Sequence, residues 1–192
     1  MEDIVISGLS KSFAGKPVLE HVSAVLTAGQ VTGLTAPSGA GKTTLLRILM
    51  GLERPDSGRI AGLAGLRLSA VFQEDRLCGH LSPVANLRLV TPSLTRAQAA
   101  EALTAVGLGG CLDQPARELS GGMARRVAIL RALLAPYDLL LLDEPFRGLD
   151  RETKALVLDD TRRRGAGRTV LMVSHDPAEL EAMGAWHRFT IR

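Results

Sequence analysis

Lys42, Thr43, Asp143, Glu144 and His175 are residue types that handle phosphate, and their sequence settings agree with one another. Lys42 and Thr43 close the stretch APSGAGKT, Ala36 to Thr43, which matches the phosphate-binding pattern G-x-x-x-x-G-K-[ST] except that Ala36 stands at the first glycine. A phosphate cradle needs backbone N–H groups turned inward with no side chain over them. Gly39 and Gly41, the glycines nearest Lys42, are present. Ala36 precedes Pro37, and a residue before proline is driven to extended backbone with negative φ, which alanine adopts. A working loop is therefore expected. Lys42 should reach the β- and γ-phosphates and Thr43 should face Mg²⁺, with Pro37, Ser38, Ala40 and Thr44 completing the nucleotide-binding run.

Four other stretches carry matching chemistry. LLLLDEP places Asp143 at the end of a hydrophobic strand, where a carboxylate can hold Mg²⁺ through water. Glu144 follows it, suited to orient or deprotonate an attacking water, and Pro145 ends the strand. LSGGM, Leu119 to Met123, opens a helix with two glycines and bare N–H groups, a second anion site in one chain. VSH sets His175 at another strand end, in reach of a γ-phosphate, and VFQ does the same for Gln73, which joins Thr43 and Asp143 on the metal side.

The elements that position these residues follow from pattern. DIVISGL alternates like a strand, and HVSAVL and QVTGLT read as two more, split by a turn at Gly29. Thr44 to Met50 reads as a helix stopped by Gly51, and LRLSAVFQ as a strand. Ser82-Pro83 looks like a cap followed by proline at the first helical position. Thr95-x-x-Gln98 is a capping box for a helix ending at Gly107. Ser120 opens a helix with the stripe Met123, Val127, Leu130 and Leu134. DLLLLD and TVLMV read as strands covered on both faces, and Asp150 opens a helix between them. A mixed α/β sheet with helices between parallel strands results. Residues 74 to 118 contribute mostly helix, so a helical subdomain is expected there.

Composition narrows the class. The 192 residues are 46% apolar and 22% charged, as a globular chain is. No apolar run approaches the roughly 18 residues of a membrane span. The start, MEDIVISGLS, lacks a basic region before an apolar one, so no signal peptide is expected and the chain should stay in the cytosol. Any membrane role then needs a partner that spans. Cys78 and Cys111 lack metal spacing and read as free thiols. The net charge of +3, an arginine run Arg162 to Arg164 at a helix end, and 3% aromatics leave little for nucleic acid. His21, His80 and His187 have no partner at ligand spacing and read as surface residues, while Trp186 is expected to pack near the C-terminus.

Taken together these motifs resemble the ATP-binding subunit of an ABC transporter over essentially the whole chain, 1–192, as a single ABC ATPase domain. They stand in family order: the phosphate loop at Ala36 to Thr43, the Q-loop at Gln73, the signature Leu119, Ser120, Gly121, Gly122 and Met123, then Asp143-Glu144, a D-loop Gly148 to Asp150 and a switch His175. The resemblance implies a P-loop NTPase core of mixed, mostly parallel sheet, a small antiparallel β part and an α-helical subdomain at 74–118 plus the start of the signature helix. Phe13 stands where the family stacks an aromatic on adenine. The resemblance also implies a head-to-tail homodimer of cassettes on ATP binding, with the signature acting in trans on the partner's γ-phosphate. Transmembrane permease subunits would be the partners, on the cytoplasmic side of the plasma membrane. VFQEDRL, LSGGM and DEPFRGLD further resemble nitrate, sulfonate and taurine importers, which work with a substrate-binding protein. Departures are Ala36, Met123 in place of glutamine, and a short segment between Gly58 and Gln73. A soluble ABC-type ATPase, an exporter subunit, and a P-loop kinase or GTPase are the competing readings. The first usually carries two cassettes or an inserted arm, and the last leaves LSGGM and His175 unexplained. No regulatory domain is expected after WHRFTIR.

Overall fold

The computed structural model describes residues 2–37 and 39–191. In chain order the elements are β1 (Ile4–Phe13), β2 (Lys16–Leu26), β3 (Val31–Thr35), α1 (Lys42–Leu49), β4 (Ser57–Ala61), β5 (Leu68–Val71), α2 (Pro83–Val90), α3 (Arg96–Ala105), α4 (Gly121–Leu134), β6 (Leu139–Asp143), α5 (Arg151–Arg164), β7 (Thr169–Val173), α6 (Pro177–Ala182) and β8 (His187–Thr190). Two short 3₁₀ turns precede α4. The caps follow the expected chemistry. Ser82 Oγ accepts from Ala85 N, and Thr95 and Gln98 form the reciprocal box.

The strands divide into two sheets. β2, β1 and β4 form an antiparallel sheet in that order, and β5-β6-β7-β3-β8 form a sheet in which every pairing is parallel. β2 begins at Lys16 rather than His21, because the chain reverses at once through Ala14 (φ 48°) and Gly15 (φ 78°). Two residues at positive φ match the twist of a tight hairpin, although alanine seldom takes that conformation, which hides the turn in the sequence. β2 and β3, adjacent in sequence, belong to different sheets and are split by a turn in which Gln30 N donates to Thr27 O.

The central strands are buried from end to end, and their side chains alternate between two cores. Leu139, Leu141, Leu171 and Val173 join Leu45, Leu46, Ile48 and Leu49 of α1 and the inner face of the antiparallel sheet. Leu140, Leu142, Val170 and Met172 join α2, α3 and the stripe of α4. Each parallel strand therefore ends at the same edge. Leu34 pairs with Val173, and Val173 with Asp143, so the chain leaves β3, β6 and β7 side by side. Ligand sites in such sheets sit at those carboxyl ends.

Two features differ from expectation. Trp186 is 76% exposed, in a turn where its N–H reaches Gly184 O, while its neighbour Ala185 is buried. The arginine run is more than a solvated face: Arg163 and Arg164 both pair with Asp160, which is 2% exposed. Among the described residues no helix is long and apolar enough to cross a membrane.

Candidate functional site

The loop after β3 turns on Gly39 (φ 80°) and Gly41 (φ 85°) and runs straight into α1. Gly41 cannot be replaced, since a Cβ there would lie 2.6 Å from both Val18 O and Leu19 Cδ2. No described atom lies within 4 Å of a Cβ at Gly39, so its face is open. Ala36 has no positive φ and is buried at 7% exposure, as the following proline requires. Ser38, the remaining residue expected to touch phosphate, lies outside the described residues. Lys42 is buried, and its ammonium donates to Ala36 O at 2.9 Å and Pro37 O at 2.8 Å. The charge is thus held over the loop by neutral acceptors, where a phosphate would make the stronger, charge-assisted bond.

The neighbouring strand ends bring the rest. Thr43 Oγ1 donates to Asp143 Oδ2 at 3.3 Å. Asp143 Oδ1 is buried and has no hydrogen-bond partner among the described residues. Burial pushes the Asp143 carboxyl up from its usual range; the Thr43 hydroxyl opposes this and the adjacent Glu144 adds to it. An unpartnered buried carboxylate oxygen beside a hydroxyl is a set of hard donors that fits Mg²⁺. Glu144 is held at φ 47°, a conformation that costs a non-glycine residue about 1–3 kcal/mol and clusters at functional sites. Its Oε1 lies 3.1 Å from His175 Nε2, which lies 3.1 Å from Lys42 Nζ. That nitrogen can accept from the lysine or donate to the glutamate, but not both. A cleft of 270 Å³ opens here, lined by Gly39, Gly41, Lys42, Thr43, Thr44, Gln73 and Glu144, with Val18 and Arg147 at its sides.

A model of the ABC transporter family matches residues 19–147. The chain belongs to that family. It is 45% identical over 184 residues to the aliphatic sulfonates import ATP-binding protein SsuB 1 of Nocardia farcinica, covering 92% of this chain and 73% of that one. It is 38% identical over 176 residues to the zinc import ATP-binding protein ZnuC of Yersinia pestis, covering 90% and 70%. The ABC subunit described here is accordingly an ATP-binding ATPase coupled to transport.

Other expected site residues of this ABC subunit lie apart from the cleft. Ser120 caps α4, its Oγ accepting from Met123 N at 3.3 Å, and Gly121 is exposed; none of Leu119 to Met123 lines the cleft. Met123 packs against the core. Asp150 caps α5, accepting from Glu152 N and Thr153 N. Phe13 is 44% exposed at the end of β1, with Lys11 Nζ 5.1 Å from its ring. Val18 of the same hairpin, not Phe13, lines the cleft.

Arg125 and Arg147 were not singled out by motif. Arg147 lines the cleft 3.8 Å from Glu144 Oε2. Arg125 is 4% exposed on α4. The signal for it was its phase: four residues before Ile129 and eight before Leu133, it falls on a buried face where an arginine must find acceptors.

Proposed function

We propose that the cleft binds and hydrolyses Mg²⁺-ATP between two copies of this chain, and that the resulting opening and closing powers a binding-protein-dependent importer. The observation that carries this is the meeting of Lys42, Thr43, Asp143, Glu144 and His175 at three strand ends, with a buried oxygen of Asp143 left unpartnered. Lys42 exchanges its two loop carbonyls for β- and γ-phosphate oxygens, and the loop N–H groups around Gly39 to Thr44 complete the cradle. Thr43 and Asp143, with Gln73 facing them, would hold Mg²⁺, which neutralises phosphate charge when bound. Glu144 takes the proton of a water that attacks the γ-phosphorus, and ADP leaves. His175, hydrogen-bonded to Glu144, orients toward the γ-phosphate. Phe13 stacks on adenine, and Asp150 sits at the junction between copies.

Residues 1–192 form one ATPase domain, with 74–118 and the start of α4 as its helical part. The signature Ser120 to Gly122 of one copy meets the γ-phosphate bound to the other, because an exposed helix N-terminus with no ligand in its own chain fits an anion brought from outside. Closure then depends on ATP and is lost with ADP, a two-state element driven by differential affinity. The chain lies peripherally on the cytoplasmic face of the membrane, bound to permease subunits. Sulfonate-type anions are favoured over zinc as cargo, since the sulfonate relative has the higher identity. Light scattering of Glu144→Gln tests the dimer: mass should double with Mg²⁺-ATP and return with ADP. A monomer at saturating ATP, alone and with its permease, would exclude it. Uptake of an alkanesulfonate and of zinc in cells lacking this chain separates the cargoes.

A further inference from the structure

The side chain of Arg125 joins three parts of the molecule that no motif connects. Its Nε donates to Pro145 O at 2.8 Å. One terminal nitrogen donates to Asp143 O at 3.0 Å and Glu144 O at 2.7 Å. The other donates to Phe72 O, to Gln73 O at 3.5 Å and to Asp75 Oδ1 at 3.1 Å. All five guanidinium hydrogens are directed at acceptors. Three of those acceptors are the consecutive carbonyls that carry the strand-end carboxylates and the proline behind them. The others belong to the loop that bears Gln73. A second arginine of α4 reinforces the latter, since Arg131 donates to Asp75 O at 3.1 Å and Arg76 O at 2.9 Å. Arg76 itself lies over the Phe72 ring at 4.1 Å.

Glu144 needs such a hold. Its φ of 47° is one that an L side chain leaves unless its surroundings fix it. Its N–H is fixed to Val173 O. Its carbonyl accepts from Arg147 N at 3.2 Å within the following turn, and from Arg125, the one donor from outside that turn among the described hydrogen bonds. The same arginine lies five residues after Ser120, on the helix whose first turn is proposed above to meet the second nucleotide. We propose that Arg125 is a positioning residue for Glu144: α4 sets the aim of the general base, and the reach of Gln73, through one guanidinium.

This rests on the reading of Glu144 as the base, so the test separates the two. Arg125→Lys keeps the charge but offers its donors from a single point, which cannot span carbonyls on both sides. Fluorescent-ATP titration of the full chain should give an affinity within about threefold of the parent, while kcat falls on the order of 10²-fold, as a misplaced catalytic group does. The melting temperature reports whether the variant is folded. In the Glu144→Gln background Arg125→Lys should change the residual rate less than about threefold, because the two act as one unit. Equal losses in affinity and kcat, or a kcat within about twofold of the parent, overturn the proposal. If Glu144→Gln is inactive while Arg125→Lys is normal, only this inference fails. If Glu144→Gln turns over near the parent rate, the base reading fails and takes this one with it. Should Arg125→Lys not fold, Asp75→Ala removes one anchor of the guanidinium at a half-exposed position, and the same kcat loss without affinity loss is required of it at about threefold.

Discussion

Two helices of this molecule have glycine where the chain enters them, Gly41 as the N-cap of α1 and Gly121 as the first residue of α4, and their N-termini differ in what surrounds them. Gly41 makes no side-chain cap hydrogen bond, and beside it a lysine, a threonine, two carboxylates and a histidine come together. α4 starts at Ser120, which caps its own helix, and Gly121 faces nothing. The glycines themselves differ in the same way. A Cβ at Gly41 would strike Val18 and Leu19, so this chain's packing demands glycine there. A Cβ at Gly121 meets no described atom within 4 Å, so nothing in this chain demands it. On the function proposed above, one terminus is most of a nucleotide site, and the other supplies the missing part of a second one.

The largest effects should come from dividing binding from chemistry at α1. Glu144→Gln keeps size and a hydrogen-bonding carbonyl but cannot take a proton, so kcat should fall about 10² to 10⁴-fold with ATP still bound. Lys42→Ala deletes the charge that two carbonyls now hold, so ATP binding itself should weaken. Nucleotide titration and phosphate release on both variants check this. Turnover of Glu144→Gln near the parent rate would move the base elsewhere, with His175 next in reach.

A smaller and more selective effect should come from α4. Gly121→Asp adds a carboxylate at an open first-turn position, where it suits the helix dipole, so stability should hold or rise by about 0.3–1 kcal/mol. The same charge repels a phosphate approaching from another copy. ATP affinity of the single chain should stay unchanged, while ATP-driven dimerisation weakens by about tenfold or more, roughly 1.4 kcal/mol. If Gly121→Asp dimerises and turns over like the parent, α4 is not a phosphate site and the comparison drawn above collapses.

Much of this was readable beforehand because its causes are local. The caps at Ser82, Thr95, Ser120 and Asp150 are decided within three residues of each helix start. β6 and β7 announce themselves as short apolar runs. What was not readable depends on partners far along the chain. β4 pairs with β1 across about fifty residues and shows no alternation of its own. β8 is a short edge strand, four residues long, beside β3. The hairpin at Ala14-Gly15 uses an alanine where glycine or asparagine would have signalled the turn. Arg125 carries no motif at all; its importance comes from carbonyls about 20 and 50 residues away in sequence. Motif reading picked out the side chains expected to face phosphate and missed the arginine that holds the backbone of Asp143 and Glu144.

The smallest effect concerns Ala36, where the loop departs from its pattern. Glycine is used at such positions for positive φ or close approach. Ala36 has neither need: its φ is not positive, its methyl is packed in the core with α1, and its carbonyl already serves Lys42. Ala36→Gly removes a buried methyl worth about 0.8 kcal/mol and frees the unfolded backbone by about 0.4–1 kcal/mol. The melting temperature should therefore drop by about 2–6 °C. The cradle N–H groups nearest Lys42 belong to Gly39 and Gly41 and do not change, so ATP affinity should stay within about tenfold. Scanning calorimetry and nucleotide titration read the two quantities separately. A variant that melts like the parent but binds ATP more than about tenfold tighter would mean that the alanine obstructs the phosphates, and that the loop at α1 is a weakened one rather than the complete partner of the bare terminus at α4.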